Sequence, residues 1–145
     1  MRRGFEKVSG YEYVNFPKRK TKQSAGYDIE SAVDAVITPG EIKLIPTGLK
    51  AYMCENEWLG IYIRSSLAIK YGLILANSVA VIDSDYYNNP DNEGHLMLPI
   101  RNVSGMPYTV KKGDRIAQGI FHRYYKVDND SADGDRTGGI GSTGK

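Results

Sequence analysis

The middle of the chain combines residue types that suit the hydrolysis of a phosphoanhydride. Arg64 is followed by two serines, Ser65 and Ser66, and a carboxylate, Asp83, ends a short apolar run further along. A guanidinium is a planar fork of N–H donors that matches phosphate oxygens, and hydroxyl groups add donors. A carboxylate at a strand end can hold and deprotonate a water molecule. Because Asp83 follows the apolar Val81 and Ile82, we expect its carboxyl to be partly desolvated. Taken alone, it is more commonly the kind of residue that begins a hairpin turn.

Composition limits the class of protein. The 145 residues are 41% apolar and include 11 tyrosines, which is enough for one domain with a real core. The net charge is +2, from 19 basic and 17 acidic residues, so bulk attraction to nucleic acid is not expected. Runs of the length needed for a membrane span, about 20 apolar residues, do not occur, and the N-terminus has no apolar signal segment. A lone cysteine, Cys54, fits a reducing compartment, so we expect a cytoplasmic protein without nucleic-acid or membrane partners.

Short apolar runs broken by Gly, Pro and Asn predict an all-β sandwich or barrel. Only residues 66–71 favour a helix, because they are good helix formers and Ser65 or Ser66 could cap the N-terminus. The predicted strands are residues 35–37, 42–45, 48–53, 58–64, 73–75, 79–82, 95–101 and 115–124.

Five segments, in this order, resemble the five motifs of the trimeric deoxyuridine triphosphatase (dUTPase) family. Any one of them alone is modest evidence, since RSSLA is shared with a related deaminase family and glycine-rich tails are common. All five in order form a strong signal. They read AGYDIES (25–31), RSSLAIKYG (64–72), NSVAVIDSDYY (77–87), GDRIAQGIF (113–121) and RTGGIGSTG (136–144).

The resemblance implies a fold, an assembly and a reaction. It implies a homotrimer of distorted jelly-roll or β-barrel subunits with one short helical turn. It also implies Mg²⁺-dependent hydrolysis of dUTP to dUMP and pyrophosphate, by attack of an aspartate-activated water on the α-phosphorus. Residues 1–127 would form the β domain. Residues 128–145 would form a flexible arm that closes over a neighbouring subunit's active site.

The same resemblance assigns roles to individual residues. Asp83 matches the aspartate that activates the water. Asp28 matches a carboxylate that reaches the magnesium ion through water, which suits a cation that keeps several waters. Base and deoxyribose contacts are expected from Asn77, Ala80, Ile82, Tyr86 and Ile140. Phosphate contacts are expected from Arg64, Ser65, Ser66, Gln118, Arg136, Gly141, Ser142 and Thr143.

Two of these side chains have an evident physical basis for selectivity. The flat ring of Tyr86, packed on the face of the sugar, would leave no room for a 2′-hydroxyl group. The amide of Asn77 can donate and accept at once, as the edge of uracil requires. Backbone groups of residues 77–82 are expected to supply the remaining base contacts.

The chain departs from the family pattern in three places. Ile140 stands where the family usually has a phenylalanine that stacks on uracil. Arg136 lies one residue closer to the glycine pair than in many relatives. Residues 87–94, YNNPDNEG, are longer than the usual turn; we expect a longer hairpin loop, with a trimer contact or a regulatory surface as alternatives.

Two other functions stay open at this point. A dCTP deaminase shares RSSLA, but Pro99 stands near the place of its glutamate base, and proline cannot transfer a proton. A nucleotide-gated protein could use the dUTP pocket to control a protein partner.

Overall fold

The computed structural model describes residues 2–144, which form antiparallel strands, one α-helix and one 3₁₀ turn. The all-β prediction with a single short helix is confirmed. Among the described residues, no helix has the length and apolar character that crossing a membrane requires. The elements are β1 (Gly4–Lys7), β2 (Tyr27–Glu30), β3 (Ala35–Ile37), β4 (Ile42–Pro46), β5 (Leu49–Tyr52), β6 (Glu57–Ile63), α1 (Ser65–Tyr71), β7 (Leu73–Leu75), β8 (Ala80–Asp83), the 3₁₀ turn Ser84–Tyr86, β9 (Met97–Asn102), β10 (Tyr108–Val110) and β11 (Arg115–Arg123).

Strand order brings distant parts of the chain together. The largest sheet has the order β2-β11-β6-β8, and a second sheet has the order β4-β9-β7. Two further pairs, β1 with β5 and β10 with β3, complete the strand pairing. Because β11 returns between β2 and β6, segments 25–31, 64–72 and 113–121 become neighbours.

The core lies between the sheets and follows the two-residue period of the strands. On β6, Leu59 and Ile61 are fully buried, whereas Trp58 and Tyr62 lie on the opposite face. Burying a Leu or Ile side chain contributes roughly 1.5–3 kcal/mol, so these positions fix which face of β6 points inward. The other large, fully buried side chains are Ile29, Ile37, Ile45, Leu49, Leu73, Leu75, Leu96, Leu98, Ile100 and Ile116.

The α1 helix ends at Tyr71 as expected, but it begins one residue earlier and is capped differently. Its N-cap is Arg64, in extended conformation, and no side chain caps the N-terminus, so the expected capping by Ser65 or Ser66 is wrong. The carbonyl of Arg64 instead accepts the N–H groups of Leu67 and Ala68, each at 3.1 Å. Its C-cap is Gly72, whose φ of 64° is left-handed and favours glycine.

Candidate active site

Asp83 is the last residue of β8 and lies opposite Trp58 of β6. The sequence suggested a carboxyl partly desolvated by the preceding Val81 and Ile82. That expectation is wrong, because the Asp83 side chain is 57% exposed. The strand ends at the rim of the sheet, so the carboxylate faces an open cavity rather than the core.

A cavity of about 350 Å³ lies beside Asp83. It contains all five residues that were expected to contact base and deoxyribose, together with three of the expected phosphate ligands from the arm. Leu44, Met97 and Pro99 also line it; sequence reasoning gave Leu44 and Met97 no role and considered Pro99 only as the residue in place of a deaminase's glutamate. The expected residues that line it are Asn77, Ala80, Ile82, Asp83, Tyr86, Arg136, Ile140, Gly141 and Thr143.

The cavity borders an edge strand. Among the described residues β8 pairs with β6 alone, so its other edge carries backbone N–H and C=O groups without a strand partner. Asn77 is exposed at the start of this edge, and Ser78 adopts a φ of 63°. Such an edge can offer donors and acceptors in a fixed row to a planar ligand.

The hydroxyl group of Tyr86 both donates and accepts a hydrogen bond. The hydroxyl donates to the carbonyl of His95 at 2.7 Å and accepts from Nδ2 of Asn92 at 2.8 Å. The side chain is only 7% exposed, and burial raises the pKa of its phenol. Tyr86 therefore stays protonated at neutral pH and forms a rigid, flat wall of the cavity.

The C-terminal arm of this chain lies across the same cavity. Nη2 of Arg136 is 2.8 Å from Oδ2 of Asp83, and Nε is 2.8 Å from Oδ1 of Asp85. The guanidinium also stands 5.7 Å from the centre of the Tyr86 ring. The prediction that the arm covers a neighbouring subunit stays a prediction, as does the phosphate-binding role of Arg136.

The glycine-rich part of the arm continues this contact. The N–H of Gly139 donates to Oδ2 of Asp91 at 3.3 Å, and Oγ of Ser142 donates to the carbonyl of Gly138 at 2.9 Å. Ile140 lines the cavity yet remains 65% exposed. It can cover a base by apolar contact, although it cannot stack as an aromatic ring does.

The other expected phosphate and metal residues form a second cluster. Gln118 on β11 lies opposite both Asp28 of β2 and Tyr62 of β6. Arg64, Ser65 and Ser66 follow directly at the end of β6 and the start of α1. This cluster therefore joins residues from three strands and a helix.

Arg115 connects the members of this cluster, and sequence reasoning missed it. Nη1 of Arg115 donates to Oδ2 of Asp28 at 3.3 Å. Nη1 of Arg64 donates to the carbonyl of Arg115 at 3.2 Å. The available signal was its place in the segment GDRIAQGIF, two residues before the apolar Ala117.

The two clusters lie at opposite ends of β6. Asp83 is opposite Trp58, and Arg64 comes six residues after Trp58 along the chain. Six residues of extended strand span about 20 Å. One chain therefore brings the expected base and sugar residues to Asp83, but it does not bring Arg64, Ser65, Ser66, Gln118 or Asp28 there.

The described residues contain no group of three His, Cys, Asp or Glu side chains that could hold a metal ion. Asp28 is a single, half-buried carboxylate already shared with Arg115. A lone carboxylate suits magnesium when waters and substrate oxygens complete the octahedron. Asp28 therefore fits a substrate-borne cation and does not fit a dedicated protein cage.

Comparison with known proteins agrees with this geometry. The dUTPase family model matches residues 12–144. The chain is 54% identical to a deoxyuridine 5'-triphosphate nucleotidohydrolase of Lactococcus lactis (98% of this chain and 97% of the relative) and 41% identical to one of Desulfitobacterium hafniense (88% and 86%). It is also similar to the crystal structure of a dUTPase from Streptococcus mutans, with a TM-score of 0.83, 44% identity, and coverage of 87% of this chain and 99% of that one. The chain belongs to the dUTPase family.

Proposed function

We propose that this protein hydrolyses dUTP to dUMP and pyrophosphate. The observation that carries the proposal is the cavity beside Asp83, whose lining includes all five residues assigned to base and deoxyribose. Its volume of about 350 Å³ lies in the range of small-molecule sites. The names of the relatives from Lactococcus lactis and Desulfitobacterium hafniense give further support.

Recognition of the nucleoside follows from the edge of β8 and the ring of Tyr86. Uracil would pair with the Asn77 amide and with backbone groups between Ala80 and Ile82. Cytosine presents the opposite pattern of donors and acceptors and would leave buried groups unpaired, which carries a large penalty. The Tyr86 ring would lie against the deoxyribose and exclude a 2′-hydroxyl group.

Chemistry follows from the carboxylate of Asp83. It accepts a proton from a water molecule as the water oxygen forms a bond to the α-phosphorus. The bond from the α-phosphorus to the bridging oxygen breaks, and pyrophosphate leaves with that electron pair. Magnesium, when bound, neutralises charge on the phosphate chain. Asp28 would orient that ion through a water molecule.

Arg136 would change partners during this cycle. Its guanidinium now pairs with Asp83 and Asp85, each at 2.8 Å. A triphosphate offers the same fork of N–H groups more negative charge and better bidentate geometry. Transfer of Arg136 to phosphate oxygens would leave Asp83 free to take the proton.

The separation of the two clusters supports a homotrimer with shared sites. Asp83 and Arg64 lie at opposite ends of β6, about 20 Å apart. A complete site would therefore combine Asp83 of one subunit with Arg64, Gln118 and Asp28 of another. The arm, residues 128–145, would be contributed by a neighbouring subunit and occupy the place that the chain's own arm takes here.

One assay tests the proposal against its alternatives. Purified protein with Mg²⁺ is given dUTP, dTTP, dCTP or UTP, and pyrophosphate is measured with and without a chelator. We expect release from dUTP alone, and loss of that release with the chelator. No release at micromolar enzyme would overturn the proposal.

Two further measurements on the same protein, of ammonia release and of dUTP binding, distinguish the other candidates. Ammonia release from dCTP would indicate a deaminase, although Pro99 in the cavity wall provides no proton-transferring group. Tight dUTP binding without turnover would indicate a nucleotide-gated regulatory protein. That second role, with its protein partner, stays a prediction from the sequence.

A further inference from the structure

We propose that Asn92 is a positioning residue. It holds the ring of Tyr86 in place and contacts the glycine-rich part of the arm, and it thereby sets the discrimination between deoxyribo- and ribonucleotides. The inference rests on the proposed function, because it concerns the sugar that the Tyr86 ring would meet. It assigns a role to the extended loop formed by residues 87–94, hereafter the asparagine loop.

Hydrogen bonds of the Asn89 side chain hold the asparagine loop in its conformation. Oδ1 of Asn89 accepts the N–H groups of Asp91 and Asn92 at 3.0 and 3.1 Å. Nδ2 of Asn89 donates to the carbonyl of Tyr86 and to Oδ1 of Asn92, both at 2.8 Å. Asn89 is buried, and the four hydrogen bonds of its side chain hold Asn92 in one place.

The amide of Asn92 can adopt only one orientation in this setting. Its Oδ1 faces two donors, Nδ2 of Asn89 and the N–H of Gly94 at 3.0 Å. Its Nδ2 donates to the Tyr86 hydroxyl, whose own proton goes to the carbonyl of His95. If the amide were flipped, Nδ2 of Asn92 would face these two donors, which is unfavourable. The hydrogen bond from Asn92 to Tyr86 therefore has a fixed direction.

The same amide touches the arm. A Cβ placed on Gly139 would lie 2.7 Å from Nδ2 of Asn92, so the arm reaches this depth only with glycine at position 139. The neighbouring Asp91 accepts the N–H of Gly139 at 3.3 Å. Asn92 thus links the wall of the sugar pocket to the segment that covers it.

Removal of the amide should leave the Tyr86 hydroxyl group bonded only to the carbonyl of His95. The ring could then tilt about that single bond and admit a larger sugar. One lost hydrogen bond to a buried hydroxyl group corresponds to roughly a five- to tenfold change in an equilibrium ratio. We expect a change of that size in sugar discrimination, without loss of the chemical step.

The test measures binding of the α,β-imido analogues of dUTP and UTP by calorimetry. Asn92→Ala should lower the preference for the deoxy analogue about five- to tenfold. Asn88→Gly is the matched control, because the Asn88 side chain contacts Lys50 instead and its φ of 56° is left-handed. This control should keep the preference of the wild type.

A double-mutant cycle separates positioning from a general structural role. In a Tyr86→Phe background, which lacks the hydroxyl group that Asn92 binds, Asn92→Ala should cause no further loss of preference. Equal losses in both backgrounds would overturn the proposal, as would an unchanged preference in Asn92→Ala. Circular dichroism confirms folding, and Asn92→Ser replaces the alanine variant if that variant does not fold.

The contact between Asn92 and Gly139 of the arm is tested by a separate binding measurement. Gly139→Ala should weaken binding of the dUTP analogue, and a double variant with Asn92→Ala should bind no worse than Asn92→Ala alone, since space is then available for the methyl group. Additive losses would overturn this part. A wild-type protein that neither binds the analogue nor hydrolyses dUTP would refute the proposed function itself, whereas an active wild type with an unaffected Asn92→Ala refutes only the role of Asn92.

Discussion

The guanidinium of Arg136 lies 2.8 Å from the carboxylate of Asp83, so the arm's cation and the proposed general base neutralise each other. The Arg136 side chain is 9% exposed, and its Nε donates to Oδ1 of Asp85. The guanidinium occupies Oδ2 of Asp83, one of the two oxygens that could hold the attacking water. When a polyphosphate binds, Arg136 of the arm would therefore move to its phosphate oxygens and leave Asp83 free to act as the base.

Asp83→Asn should abolish turnover and keep binding. The amide fills the same space but cannot accept a proton, so we expect a loss of about a hundred- to ten-thousandfold in kcat. Pyrophosphate release gives the rate, and calorimetry with α,β-imido-dUTP gives the affinity. Asp85→Asn is the matched control, since it neutralises the other carboxylate that Arg136 contacts, and it should cost less than tenfold. A fully active Asp83→Asn would exclude Asp83 as the base.

Arg136→Ala should raise KM more than it lowers kcat if the guanidinium binds phosphate oxygens. We expect a fall in kcat/KM of about ten- to a hundredfold, because charge-assisted bidentate bonds are strong. Arg136→Lys keeps the charge but loses the fork, and it should recover only part of the loss. Equal kcat/KM values for Arg136→Ala and wild type would show that the arginine stays with the carboxylates throughout.

Two inactive variants should restore activity when mixed, if sites are shared between subunits. Asp83→Asn and Arg64→Ala each disable a different half of the site. In randomly mixed trimers about a quarter of the sites combine both intact halves. The experiment refolds the two variants together and measures pyrophosphate release, with light scattering to give the oligomeric state. Separate refolding followed by mixing is the control, and no recovery after joint refolding would place the whole site in one chain.

Acid should destabilise the fold through His95. Burial lowers the pKa of this imidazole, which remains neutral while its Nε2 accepts the N–H of Gly48 at 2.8 Å. In the unfolded chain the histidine takes up a proton below about pH 6.5. The unfolded state then binds more protons than the folded one, so stability falls as pH drops below about 6.5, with a slope that approaches about 1.4 kcal/mol per pH unit.

Urea unfolding between pH 7.5 and 5.5 measures this slope. His95→Gln can still accept the N–H of Gly48 but does not titrate, so its stability should depend less on pH over the same interval. Identical slopes for the two proteins would contradict the assignment. Because the carbonyl of His95 accepts the Tyr86 hydroxyl, acid is also expected to loosen the sugar pocket.

The sequence predicted the strands whose apolar pattern repeats over several residues. The predicted strand 58–64 became β6 (Glu57–Ile63), with Leu59 and Ile61 buried as alternation requires. Strands β1, β2 and β10 were not predicted, because each carries at most two apolar residues and pairs with a distant segment, whereas β3 and β7 consist of three apolar residues. Gly4–Lys7, for example, pairs with Leu49–Tyr52.

The candidate site was predictable where one segment supplies it. Residues 77–87 carry Asn77, Asp83 and Tyr86 in a single stretch, and the structure places all three around one cavity. The Arg136 to Asp83 pair spans 53 residues, and the role of Arg115 depends on the register of β11 against β2. Neither relationship has a local signature, since both arise from how the sheets close.

The unpaired edge of β8 has a consequence for how base preference could change. Its donors and acceptors belong to the main chain, so they persist with any side chain except proline at positions 80 to 82. An inhibitor anchored to this edge would meet groups that no point mutation deletes, other than one to proline. Escape from it, or a switch to another base, would need the strand to shift or bulge.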